Sequence, residues 1–255
     1  MSPSNPLPGR ASAPADHLVW HNLAGHHAAF AVGDARVRRY RPGFLGFAAC
    51  ADPHAPDPAA LARWFAPGES ALLMLDAPLP ERARAGWQTL VSKRALRMHW
   101  HGVAPPIVPA PPAVPLGPRD LPAMAALARE AGAAGMFAPR CLELGRFRGV
   151  FDAGRLVAMA GTRMGAGGLR EIASVCTHPA QRGRGHASAL VQQLVADIVA
   201  GGERPMLWVA EGSPAQRIYE TLGFRVQRPQ FFVMLQRRPA EGPGRAAFRP
   251  SARAR

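Results

Sequence analysis

Lysine is almost missing from this chain: Lys93 is the only one among 31 basic residues, and arginine supplies the rest. Together with 27 prolines, 26 glycines and heavy alanine usage, the skew reads as the codon bias of a GC-rich genome. The formal net charge of +14 is therefore weak evidence for specific nucleic-acid binding. Part of it sits in the tail, where Arg237, Arg238, Arg245, Arg249, Arg253 and Arg255 face one acid, Glu241. Cysteine is scarce too. Cys50, Cys141 and Cys176 are odd in number and scattered, which excludes a disulfide frame and predicts reduced thiols in a cytoplasmic protein. No apolar run approaches the ~20 residues that span a bilayer, so no membrane association is expected. Residues 1–15 have no apolar core, so a secretory signal is not expected either. His26-His27 and His99-x-His101 lack a carboxylate or cysteine to complete a set, so no metal is expected.

What is present is a globular chain, 48% hydrophobic. Residues 1–16 and 238–255 read as disordered by composition. Residues 104–118 hold prolines too close together for helix or sheet centre, and read as a stiff linker. The periodicity after it predicts a helix from Asp120 to Ala131 and a hairpin of 148–152 with 155–161. A central strand over 169–177, a helix over 187–200 and a strand over 205–210 follow. A helix over 214–222 and a final hairpin of 224–227 with 231–236 complete the unit. Before the linker, 17–103 reads as a smaller α/β unit. Its expected elements are helices at 18–30 and 57–65, strands at 35–40, 46–51 and 70–75, and a hairpin of 87–91 with 95–100.

The most informative stretch joins the central strand to its helix: Val175-Cys176-Thr177-His178-Pro179-Ala180-Gln181-Arg182-Gly183-Arg184-Gly185-His186-Ala187. A strand, a glycine turn and a helix in that order aim free backbone N–H groups and a positive helix end at one point. That is a site for a phosphate or pyrophosphate. Gly183 and Gly185 let an anion approach the main chain closely, and Arg182 and Arg184 add charge-assisted hydrogen bonds. The spacing is neither a P-loop nor a dinucleotide fingerprint.

Here the chain resembles the GNAT superfamily of acyl-CoA-dependent N-acyltransferases. Their Arg/Gln-x-x-Gly-x-Gly/Ala signature is met as Arg182-x-x-Gly185-x-Ala187. A second signature follows downstream: Leu207-Trp208-Val209-Ala210, then Ala215-x-x-x-Tyr219-x-x-x-Gly223-Phe224. Gly154 to Gly161 and Cys176-Thr177-His178-Pro179 look most like the branch related to glycine N-acyltransferase. The resemblance covers roughly residues 115–237. It implies an α/β (α+β) GNAT fold, with a mixed, mostly antiparallel central sheet flanked by helices, preceded by a smaller, degenerate GNAT-like N-terminal domain. That first domain carries neither signature, so its work would be to shape the acceptor pocket or a homodimer contact.

The resemblance also implies a function: transfer of an acetyl group from acetyl-CoA to a primary amine of a small molecule or peptide, by direct attack and without a metal. Val175, Cys176, Thr177, Arg182, Gly183, Arg184, Gly185, His186, Ala187, Ser188 and Gly212 would hold the co-substrate, Gly212 standing where the family often has asparagine. Such a reaction needs a base for the amine and an acid for the leaving thiolate. Glu171 is the candidate base, since strand alternation sets it with Ala173 and Val175 on one face and turns Cys176 away. The plainer reading is a glutamate paired with Arg170 or another arginine. Tyr219 is the candidate acid, or else a core aromatic packed with Leu222 and Phe224. Cys176 reads as a small core residue, not a nucleophile. Two rival functions stay open: a non-catalytic CoA-binding or regulatory module, and a polyanion-binding protein.

Overall fold

In the computed structural model, α1 (Leu18–Ala24) leads into an antiparallel sheet of β1 (Ala31–Gly33), β2 (Val37–Tyr40) and β3 (Ala48–Cys50). The structure describes residues 16–102 and 112–239, so of the expected disordered ends and linker, residues 1–15, 104–111 and 240–255 lie outside it. α2 (Pro58–Ala62) starts behind Asp57, whose carboxylate accepts the Ala60 N–H at 2.9 Å. β4 (Ser70–Leu75) and β5 (Trp87–Trp100) follow, then β6 (Val114–Leu116), α3 (Leu121–Glu130), β7 (Phe147–Asp152) and β8 (Arg155–Ala166). The chain continues through β9 (Leu169–Thr177), α4 (His186–Ala200), β10 (Arg204–Ala210), α5 (Pro214–Thr221) and β11 (Phe224–Arg237).

The main sheet has eight strands in the order β4-β11-β5-β10-β9-β8-β7-β6. Its neighbours are antiparallel except β9 and β10, which run parallel. This is the mixed, mostly antiparallel sheet flanked by helices that the sequence predicts. α4 and α5 cover one face, where Leu190, Val191, Leu194 and Ile198 pack with Ile172, Leu207 and Phe224. α3 covers Phe147, Leu156 and Met159 through Met124 and Leu127, and α1 sets Leu18 and Leu23 against Met164, Leu169 and Met206. Burying each such side chain contributes roughly 1.5–3 kcal/mol, so the four clusters dominate the stability of the sheet.

Three expectations are corrected. The stretch before the linker is not confined to a sheet of its own: β1, β2 and β3 form a small one, but β5 is inserted between β10 and β11, and β4 forms the far edge of the same eight strands. The linker is not all linker either, because Val114 and Leu116 lie in β6, opposite Gly149 and Phe147. Pro115 is tolerated there because β6 is an edge strand. Finally, the two expected hairpins at 87–100 and 224–236 are single 14-residue strands, β5 and β11, paired along their length. Pro229 interrupts the alternation of β11, but it sits where β4 no longer flanks that strand, since β4 pairs only with Phe231 to Gln236.

Candidate active site

Where β9 and β10 begin side by side, Leu169, Arg170 and Glu171 face Arg204, Pro205 and Met206. Beyond Glu171 the two strands have no further pairing, while β10 stays paired with β5 as far as Ala210. β9 keeps β8 on its other side, with a register shift between Met159 and Gly161. Ser174 sits in that shift with φ +54°, a conformation rare for a residue with a side chain. The bulge and the parting of the strands open the sheet at its middle.

The bulge also reverses the expected alternation. Ile172 and Val175 both pack against the α4–α5 cluster, while Cys176 joins the α3 cluster with Met159 and Phe147. Glu171 and Val175 therefore do not share a face, because one extra residue shifts the period of two. Cys176 is buried and burial pushes its thiol up to about 11, with Arg182 pulling the other way, as suits a core cysteine.

Consecutive residues of β9 line two cavities at this opening: Val175 lines one and Ser174 the other. The larger, about 650 Å³, is lined by Val175, Cys176, Thr177 and every residue from Gln181 to Ser188, with Ser213, Ala215 and Tyr219 opposite. Gly183 (φ +78°) and Gly185 (φ +80°) take left-handed conformations that wrap the turn onto the start of α4. The first intrahelical N–H is that of Ala189, which donates to the Gly185 carbonyl at 3.0 Å, leaving the N–H groups of the first turn without helical partners. The Arg182 guanidinium spans the mouth, donating to the Thr177 and Ala131 carbonyls at 3.4 Å each. Arg184 is exposed and forms no ion pair among the described residues.

The buried polar atoms of this cleft are under-satisfied. Thr177 Oγ1, His186 Nδ1 and Ser213 Oγ have no hydrogen-bond partner among the described residues. Buried polar groups are usually paired, so orphans gathered around one cleft fit a polar ligand such as CoA. Gly212, in contrast, does not line the cleft, and its N–H donates to Gln216 Oε1 at 2.9 Å. That departs from the expected pantetheine contact. Ser213, Pro214, Ala215, Ile218, Ala131 and Ala133 line it instead. Pro214 at the start of α5 marked the first of these in the sequence; nothing marked the two alanines after α3.

Tyr219 combines its two sequence readings. It lines the cleft, and it is also buried in the core cluster with Leu222 and Phe224, its ring edge-on to Phe224 at 6.0 Å. Burial, with Cys176 adding, pushes its pKa up to about 12. It stays protonated at any ordinary pH.

Glu171 lines the second cavity, about 260 Å³ in volume. It is 2% exposed and bound by Arg163, whose Nη2 donates to Oε1 at 2.6 Å and Nε to Oε2 at 3.0 Å. The Met164 N–H also donates to Oε2, at 3.2 Å. The partner is thus an arginine, as the plainer reading held, but not Arg170, which pairs with Glu203. A second register shift, between Thr162 and Gly165, places Arg163 and Met164 opposite Glu171. Nothing in the local sequence marked that partner. Among the described residues no three His, Cys, Asp or Glu side chains gather as a metal site, and no helix is long and apolar enough to cross a membrane.

The family model described as FR47-like protein matches residues 144–233. No curated protein matches the chain. A crystal structure described as an acetyltransferase from the GNAT family, from Novosphingobium aromaticivorans DSM 12444, is 34% identical, with a TM-score of 0.79 over 89% of this chain and 100% of that one. A GCN5-related N-acetyltransferase from Kribbella flavida shares the fold at 19% identity, TM-score 0.59, over 92% of this chain and 97% of that one. So does a GCN5-related N-acetyltransferase-like protein from Streptococcus suis 89/1591, at 16% and 0.58 over 87% and 92%. The parted strands, the glycine-arginine turn and the full-length likeness at 34% identity agree: the chain belongs to the GNAT family of acetyltransferases.

Proposed function

We propose that the chain is an acyl-CoA-dependent N-acetyltransferase that acetylates a primary amine. The observation that carries this reading is that neighbouring residues of the β9 bulge, Ser174 and Val175, line two cavities. One is lined by the anion-binding turn, the other by a buried carboxylate. Bound acetyl-CoA supplies the thioester that the amine attacks directly, with no covalent enzyme intermediate.

The chain's own residues take the remaining roles. The turn from Arg182 to Ser188 and the start of α4 hold the diphosphate through backbone N–H groups and arginine charge. The edge of β9 from Val175 to Thr177, free of β10, bonds the pantetheine amides and offers a backbone N–H to the developing oxyanion. Tyr219, held protonated, donates to the departing thiolate. Glu171 orients the amine and takes its proton through water. Because Arg163 already engages both of its oxygens, its share of the work leans toward binding the ammonium.

A second reading is favoured by that same pair. Both Glu171 oxygens are already engaged, as they would be in a non-catalytic CoA-binding module. The two readings part experimentally. Thiol release from acetyl-CoA should occur with some member of an amine panel, and Glu171→Gln with Tyr219→Phe should abolish it while calorimetry still detects CoA binding. If the doubly substituted chain releases thiol as fast as the parent, the enzymatic reading fails. The three cysteines, free and buried, suit a reducing cytoplasmic setting.

A further inference from the structure

The second cavity constrains the acceptor more than the motifs do. At about 260 Å³ it lies just below the ~300–1,000 Å³ usual for ligand sites, room for a compact body and not a long chain. Its walls are apolar and aromatic: Phe47, Met74, Met136, Trp208 and Phe232. The Trp208 ring is fixed from behind, its Nε1–H donating to Gln230 Oε1 at 2.8 Å and Gln230 Nε2 donating to Asp76 Oδ1 at 2.8 Å. Gln230 is 4% exposed, so this wall is rigid. A rigid flat wall selects flat or branched apolar groups.

The charges in the same cavity largely cancel. Arg163 is taken by Glu171, and Arg94 meets Glu211 at 3.2 Å. Lys93 is exposed and forms no ion pair among the described residues. Among the described residues, the one uncompensated charge of the lining is therefore a cation, on the chain's sole lysine. A second ammonium on the acceptor would be repelled there, and an anionic group would be drawn in.

We infer that, within the acetyltransferase reading on which this rests, the acceptor is a compact amine with one ring-sized apolar body and a carboxylate. Lys93 is the specificity-determining residue for that carboxylate. The apolar body lies against Trp208 and Phe232, and the amine reaches Glu171.

The test measures thiol release from acetyl-CoA with four acceptors: phenylalanine, phenethylamine, a phenylalanine-led peptide amide and spermidine. Phenylalanine should exceed phenethylamine in kcat/KM by about two- to fivefold, the scale of one exposed charge contact. The peptide, whose first carboxylate is an amide, should match phenethylamine, and spermidine should be the poorest. Lys93→Ala should close the gap between phenylalanine and phenethylamine, and Lys93→Arg should restore it. The inference is overturned if phenethylamine, the peptide or spermidine equals phenylalanine, or if the gap survives Lys93→Ala. If no acceptor, here or in the wider amine panel, releases thiol while calorimetry shows CoA bound, the acetyltransferase reading fails and takes this one with it. Activity that ignores the carboxylate sinks the inference alone.

Discussion

Arg163 and Glu171 form a two-pronged ion pair, Nη2 to Oε1 at 2.6 Å and Nε to Oε2 at 3.0 Å, with both side chains less than a tenth exposed. The Arg163 guanidinium also lies over the Phe47 ring, 4.6 Å from its centroid, tying the pair to the wall of the second cavity. A buried pair is weak evidence for stability as such, but losing one member leaves an uncompensated charge. Arg163→Met should therefore destabilise the chain by about 3–5 kcal/mol in denaturant unfolding. The double change Arg163→Met with Glu171→Met should recover most of that loss. Equal losses in the single and double variants would mean that packing, not charge, dominates at this position.

Gly183 has open space around a would-be Cβ, so Gly183→Ala meets no steric neighbour, only its backbone angle of φ +78°. The strain is roughly 1–2 kcal/mol. If the turn relaxes to relieve it, its N–H groups lose their convergence. Isothermal titration should then show CoA binding at least fivefold weaker, about 1 kcal/mol, with only a small fall in Tm. Unchanged affinity would detach this turn from the ligand.

Tyr219→Phe keeps the ring packed edge-on to Phe224 in the core cluster, so it should fold as well as the parent. As the proposed acid it should lower kcat by about 10²-fold while leaving CoA affinity alone. Because burial holds its pKa up at about 12, the parent should show no basic limb from this group between pH 8 and 10. A loss of activity in that range that vanishes in Tyr219→Phe would contradict the shift.

Burial lowers His17, His27 and His99 to about 4, with like charge from His21, His26 and Arg97 respectively as the next cause. His27 Nδ1 lies 2.7 Å from Tyr40 Oη and 3.2 Å from Asn22 Nδ2, contacts that suit the neutral ring. The folded pKa lies below the ordinary value near 6.5, so the unfolded chain binds more protons between the two. Their stabilising share is whole above about 6.5, falls as the pH drops toward 4, and stops falling below that. Each contributes on the order of 1–3 kcal/mol. Denaturant midpoints at pH 7.5, 5.5 and 4.5 should decline in step, and His27→Gln should make the decline shallower. A flat series would rule the histidines out.

Much of the catalytic half was legible because its signals are local. Alternation gave β9 to within its observed bounds, and Met124 and Leu127 gave the buried face of α3. Gly183 and Gly185 gave the turn before α4. The failures share a cause. The bulge at Ser174 and the shift at Arg163 exist only because β8 and β9 differ in length between fixed contacts, which no single strand records. The same holds for β5. Its 14 residues look like a hairpin in isolation, and are straightened by pairing with β11 on one side and β10 on the other.

The order of residues by itself determined the glycine-arginine turn, since glycine angles, arginine charge and a helix start are properties of neighbours in the chain. Only the tertiary structure decided what lines the second cavity. It brought Lys93, Arg94 and Phe47 from the first hundred residues to the walls around Glu171, and it chose Arg163 for Glu171. Hydrogen bonding between distant strands sets such meetings, and it depends on register across the whole sheet, not on any local run of residues.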